Sequence, residues 1–159
     1  ADAGGYIDHV LNVARKSFKM MKLYQDNGGV IDFTQEELLF AAFHHDLGKL
    51  GVKGELQYVP NDSQWHIDKM GQIYKSNPNI TYMSYTDRGI FLLNQYGIKF
   101  TEKEYFGMKL TDGMFDDDNH KYLKVFDNQK ILRTNIGYIL HWADHMSTCI
   151  ERDSIILKK

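Results

Sequence analysis

Thr34-Gln35-Glu36-Glu37-Leu38-Leu39-Phe40-Ala41-Ala42-Phe43-His44-His45-Asp46-Leu47-Gly48-Lys49 is the stretch on which the reading of this chain turns. Thr34 followed three residues later by Glu37 is the capping-box signature that opens a helix. Leu38, Ala41, Ala42 and His45 then recur at helical spacing, so an apolar face is expected to carry His45 toward the core. Gly48 and Gly51 loosen the chain just past the His-Asp pair. The segment therefore reads as a buried helix that delivers a vicinal imidazole and carboxylate at its end.

The segments around it carry the same period. Between Tyr6 and Tyr24 the apolar residues Ile7, Val10, Leu11, Ala14, Phe18 and Met21 predict a helix, ended by Asn27-Gly28-Gly29. Val30-Ile31-Asp32-Phe33 admits a short extended stretch. Asp62 or Ser63 is a candidate cap for a helix carrying Trp65, His66, Lys69 and Tyr74, and Asn77-Pro78-Asn79 reads as a turn. A further helix is expected from Asp87 to Tyr96, stopped by Gly97. Thr101 with Glu104 repeats the capping box and starts a helix toward Gly113. Asp116-Asp117-Asp118 reads as a solvated loop. The last helix is expected from about Asn135 to Glu151, with Ile136, Ile139, Leu140, Ala143 and Ile150 on its apolar face. No segment alternates as a half-buried strand should. The expectation is an all-α fold in one domain spanning residues 1–159, and a start at Ala1 rather than Met leaves room for native residues before it.

Bulk properties narrow the class. At 159 residues and 43% hydrophobic the chain can bury a core of ordinary domain size. Nineteen Lys and Arg against 21 Asp and Glu leave a formal charge of −2, which argues against gripping long nucleic acid. A local basic pocket for one nucleotide is compatible with that balance. Cys149 is the only cysteine, so no internal disulfide can form; this fits a reducing cytosol and a cytoplasmic location. No apolar run approaches the roughly 20 residues needed to span a bilayer, so no membrane partner is expected. No Gly-x-Ser-x-Gly elbow or phosphate-binding Gly-x-x-x-x-Gly-Lys loop exists, and Cys149 is expected as a buried thiol. The sequence leaves the oligomeric state open.

The polar residues that fall on apolar faces carry the chemistry. Asp144 follows Leu140 by four and sits beside the apolar stripe of the last helix. A buried ionised carboxylate is expensive unless paired or coordinated. His9, His45, Asp46 and Asp144 together offer two imidazoles and two carboxylates, a set suited to a divalent metal such as Mn²⁺, Fe²⁺ or Mg²⁺. The rival reading is a core histidine hydrogen-bonded to a neighbouring helix, with Asp144 facing water. His44 is rotated about 100° from His45 and is the weaker ligand. His141 and His145 flank Asp144 as candidates for hydrogen bonds behind the ligands, His145 reading equally as a plain surface residue, and His120 beside the acidic loop reads as solvated.

The order His9, then His45-Asp46, then Asp144 resembles the HD-domain metal-dependent phosphohydrolases. Gly4-Gly5-Tyr6-Ile7-Asp8-His9-Val10 is similar to the Gly-Gly-x-x-x-His opening of HD modules in certain 3′→5′ exoribonucleases. Ala41-Ala42-Phe43-His44-His45-Asp46-Leu47-Gly48-Lys49 is similar to the Ala-Ala-x-x-His-Asp-x-Gly-Lys centre of the same group. The stretch from Asn61 to Asn119 resembles small single-domain HD proteins of tailed phages, and the likeness spans nearly the whole chain.

The resemblance implies an HD-type helical domain and an enzyme: a phosphohydrolase cleaving a phosphoester of a small nucleotide with metal-activated water. It implies a divalent cofactor (Mn, Fe, Co, Mg or Zn) on His9, His45, Asp46 and Asp144. Binuclear members hold a second metal through further histidines, one in a His-His-Gly or His-Asp-Gly segment. Here Leu110-Thr111-Asp112-Gly113 has Thr111 at that place, so one metal is expected in preference to two. Asp46 is expected both to ligate and to orient water. Lys49 reads as a phosphate contact or as a cation on the helix C-terminal dipole. His66 reads as a phosphate contact or proton donor. Trp65, Lys69, Tyr74, Lys75 and Arg88 mix aromatics with cations as a nucleotide pocket would, although each can equally be packing or solvated charge. Asp112 is a candidate for reading a polar substrate group or for binding a metal-held water. Two alternatives stand beside this one: a diiron HD-type oxygenase acting on organophosphonates, against which Thr111 counts, and a non-catalytic module binding a nucleotide or a partner protein.

Overall fold

The capping boxes form as the sequence predicts. Thr34 Oγ1 accepts from the Glu37 backbone N–H at 3.1 Å, and the Glu37 carboxylate accepts from the Thr34 N–H at 2.9 Å. Thr101 and Glu104 repeat the arrangement, and the Thr101 hydroxyl donates to Glu37 at 2.9 Å, tying the two caps together. Each such cap contributes on the order of 1 kcal/mol.

The computed structural model describes residues 5–156; Ala1 and Gly4, the latter part of the paired-glycine opening, lie outside the described residues. Along the chain run α1 (Gly5–Asp26), α2 (Gln35–His44), β1 (Gly51–Val52), β2 (Glu55–Leu56), β3 (Tyr58–Pro60), α3 (Gln64–Met70), β4 (Tyr74–Ser76), α4 (Tyr85–Gln95), α5 (Glu102–Lys109), α6 (His120–Leu123) and α7 (Ile136–Ile156). Short 3₁₀ turns stand at Leu47–Leu50, Gly113–Phe115 and Asp117–Asn119. The protein is mainly α-helical, as expected.

Two compact units divide these elements. One comprises Ile7–His45 with residues 100–156, and the other residues 5–6 with Asp46–Lys99. In the first, α2 packs on α5 and α7, and α5 packs on α7. Leu38, Ala41, Ala42, Met108, Leu110, Ile136, Ile139, Leu140 and Ala143 are almost wholly buried there. Close approach needs small residues: a Cβ on Gly107 would run into Ala41, and one on Gly137 into Leu110. On α1 the buried face is Val10, Val13, Ala14 and Ser17, one step round from the face expected, while Ile7 is 61% exposed. Ser17 donates back to the Ala14 carbonyl, which is how a hydroxyl is tolerated on that face.

In the other unit the 3₁₀ turn Leu47–Leu50 packs against α4. Strands absent from the expectation appear here as two antiparallel pairs, β1 with β2 and β3 with β4. They are only two or three residues long, too short for an alternating pattern to show. Gly54, at φ 86°, supplies the left-handed turn between β1 and β2. Tyr74, expected on the same helix as Trp65, lies on β4 instead, because α3 stops at Gly71 in the αL conformation.

Further corrections are local. Val30–Phe33 forms no strand; the Val30 carbonyl and the Asp32 side chain accept from Asn135 instead. The acidic run 116–118 is not plain loop, since Asp116 caps the 3₁₀ turn that follows by accepting from the Asp118 N–H. Cys149 is half-buried rather than buried.

Candidate metal centre

Three of the four expected ligands meet within one unit. His45 is the C-cap of α2 and keeps helical dihedrals, so its ring stays on the Leu38–Ala41 face and is 4% exposed. His9 comes from α1 and Asp144 from α7. The Asp144 Oδ1 atom lies 3.0 Å from His9 Nε2 and 3.8 Å from His45 Nε2. The two rings are 5.6 Å apart at 54° to one another. Asp46, the fourth expected ligand, follows His45 directly in the chain and belongs to the other unit.

The far sides of the rings decide their tautomers. His45 Nδ1 lies 2.8 Å from the Ala42 carbonyl, which can only accept, so Nδ1 carries the proton. His9 Nδ1 lies 2.9 Å from Glu151 Oε2, and the same logic protonates Nδ1 there. In the neutral state both rings then turn an Nε2 lone pair toward the Asp144 carboxylate. Acceptors gathered this closely require a positive charge among them, either a proton or a cation. Two ligands about 2.1 Å from one ion at 90–109° stand roughly 3.0–3.4 Å apart; the His9–Asp144 separation matches that spacing, and the His45–Asp144 separation of 3.8 Å is wider than it. The donor set fits a divalent metal.

Glu151 escaped the sequence reading as a functional residue. Its second oxygen accepts from Asn12 Nδ2 at 3.1 Å, and Asn12 is one turn beyond His9. The signal was present as spacing: Glu151 follows Asp144 by seven, which is two turns along one helix face.

Asp46, Lys49 and their surroundings belong to the other unit. Lys49 Nζ is 2.5 Å from Asp46 Oδ2 and stands over the Tyr85 ring, 5.8 Å from its centre. Gly48 is required by close packing, because a Cβ there would strike the Tyr85 backbone carbonyl. Tyr58 donates to Tyr85 at 2.9 Å, and burial, that hydrogen bond and the nearby charges push the Tyr58 phenol well above its ordinary value. The Tyr6 phenol is pushed up to about 12, first by burial and then by the charge of Asp46.

The expected substrate contacts are scattered in character. Trp65 is 60% exposed on α3, edge-on to His66, and His66 Nδ1 is 2.7 Å from the Ser63 hydroxyl. Lys69 is exposed, and Tyr74 is largely exposed on β4. Lys75 is paired with Asp62 at 2.7 Å, which lowers the Asp62 carboxyl below its usual range. Arg88 is buried and donates to the Thr81 carbonyl, so its charge is spent inside the fold. Asp112 is exposed at the start of a 3₁₀ turn in the helical unit. Thr111 is buried, and its hydroxyl donates to the Gly107 carbonyl at 2.7 Å. His141 donates to the Thr111 carbonyl at 2.7 Å rather than to any of the four ligands, and His145 stacks on Phe115. His44 donates to Phe40, and His120 lies 3.5 Å from Asp117.

No family model, curated protein or solved structure matches this chain. Among the described residues no helix is long and apolar enough to cross a membrane.

Proposed function

We propose that this chain is a metal-dependent phosphohydrolase of the HD kind that cleaves a phosphoester of a small nucleotide. The observation that carries the metal is the convergence of His9 Nε2 and His45 Nε2 on one Asp144 oxygen while each Nδ1–H donates elsewhere. The nucleotide comes from the resemblance alone. His9, His45 and Asp144 would hold the ion, and the resemblance adds Asp46 to them. When bound, such an ion polarises a phosphoryl oxygen and lowers the pKa of water, to about 7 in favourable cases.

The chain's own residues supply the rest. Asp46 carries a second carboxylate oxygen able to accept a proton from an attacking water. Lys49 is held by Asp46 and brings an ammonium that a phosphate can take over as its partner. Trp65 offers an exposed ring face to a base, and Lys69 adds a solvated cation. His66, steadied by Ser63, is able to give a proton to a leaving oxygen. The Thr111 hydroxyl is committed to a backbone carbonyl, which favours one metal over two.

A panel of nucleoside mono- and triphosphates, cyclic nucleotides and short oligonucleotides, each with Mn²⁺, Co²⁺, Mg²⁺ or Fe²⁺, tests this by phosphate or pyrophosphate release. Turnover is expected with at least one pair, and Asp46→Ala should lower it on the order of a thousandfold. A variant that keeps full activity, or a wild type that cleaves none of them, ends the proposal.

A second reading has its own observation. His9 stands between two carboxylates, Glu151 at 2.9 Å and Asp144 at 3.0 Å, which also suits a protonated imidazolium clamp. The chain would then be a non-catalytic binding module. Elemental analysis of the purified protein separates the two.

A further inference from the structure

Glu151 stands behind His9, on the side of the ring away from Asp144, and both its oxygens are engaged. Oε2 takes the His9 Nδ1–H at 2.9 Å, and Oε1 takes the Asn12 amide at 3.1 Å. His9 and Asn12 share a face of α1, and Asp144 and Glu151 share a face of α7, so four side chains join the two helices. His45 gets the same service from a backbone carbonyl, that of Ala42. His9 takes a carboxylate instead, which both fixes a ring and makes its other nitrogen a stronger donor to a metal.

We infer that Glu151 is a positioning residue that locks His9 in the Nδ1–H tautomer and thereby keeps the Nε2 lone pair on the Asp144 side, where a divalent cation would be held. This rests on the metal reading proposed above. The Glu151 side chain is 35% exposed, and a pair so placed adds little to folding stability. Its work lies in the orientation of the ring.

The test is Mn²⁺ binding by calorimetry to the wild type, Glu151→Gln, Glu151→Leu and Asn12→Leu, with the metal-free melting temperature of each. Electron paramagnetic resonance of bound Mn²⁺ reports the coordination directly. Glu151→Gln should weaken Mn²⁺ binding about tenfold and Glu151→Leu up to about a hundredfold, with a changed spectrum. Asn12→Leu should weaken it less than either. Metal-free melting temperatures should move by no more than about 4 °C. A Glu151→Leu variant that binds Mn²⁺ like the wild type, or that loses its fold, overturns the inference and leaves the metal reading standing. A wild type that takes up no Mn²⁺ overturns both.

Discussion

The helical unit and the segment from α3 to β4 hold their polar side chains by opposite means. In the helical unit His45 is buried, His9 is largely so, and each ring has a named partner on Nδ1 and a carboxylate facing Nε2. Along α3 and β4 the aromatic and basic residues face solvent, and the pair of Lys75 with Asp62 lies at the surface. Burial makes an unmatched polar group expensive, so each orientation in the helical unit is specified by what the group touches. Exposed charges are screened by water and salt, and their pairings bind neither partner tightly. The lesson is that a chemically legible residue type is informative where packing constrains it and far less so where solvent does.

The largest expected effect that sharpens this contrast is on stability. Leu38 is fully buried on the core face of α2, and Leu38→Ala should cost about 3 kcal/mol in urea unfolding. A loss below about 1 kcal/mol would mean that α2 is not held by its core face. Truncating the larger but exposed Trp65 to Ala should change unfolding by less than about 0.5 kcal/mol. If its ring stacks a base, the same variant should raise the KM of a nucleotide substrate about tenfold. A stability loss matching that of Leu38→Ala would erase the distinction between the two regions.

An effect confined to alkaline pH concerns Tyr6. The folded state holds the phenol proton more tightly than the unfolded chain, whose tyrosine titrates near 10, whereas Tyr6 does so at about 12. Its contribution is therefore complete below pH 10 and is lost as pH rises toward 12. Urea midpoints measured across that interval should fall more steeply for the wild type than for Tyr6→Phe. Equal slopes would show that the phenol is not held by burial and the Asp46 charge.

Much of the helical frame was legible in advance because its signals are local. Capping boxes join residues three apart, and Thr34–Glu37 and Thr101–Glu104 form as read. Gly97 stops α4 with a positive φ, as a terminating glycine should. The centre was half legible. His45 follows from its place on an apolar helical face, whereas its pairing with Asp144 and the backing of His9 by Glu151 join residues about a hundred or more positions apart. The two short strand pairs, the end of α3 at Gly71 and the burial of Arg88 left no periodic trace to read.

Sequence alone determined where the main helices begin, which face of α2 is apolar, and that imidazole and carboxylate groups fall on inward faces. These follow from interactions within one or two turns of chain. Tertiary structure alone decided that His9, His45 and Asp144 meet, which nitrogen of each ring keeps its proton, and which cations are buried or paired. Those outcomes depend on helices packing across long sequence separations, where a single acceptor such as the Ala42 carbonyl or the Glu151 carboxylate selects one tautomer over the other.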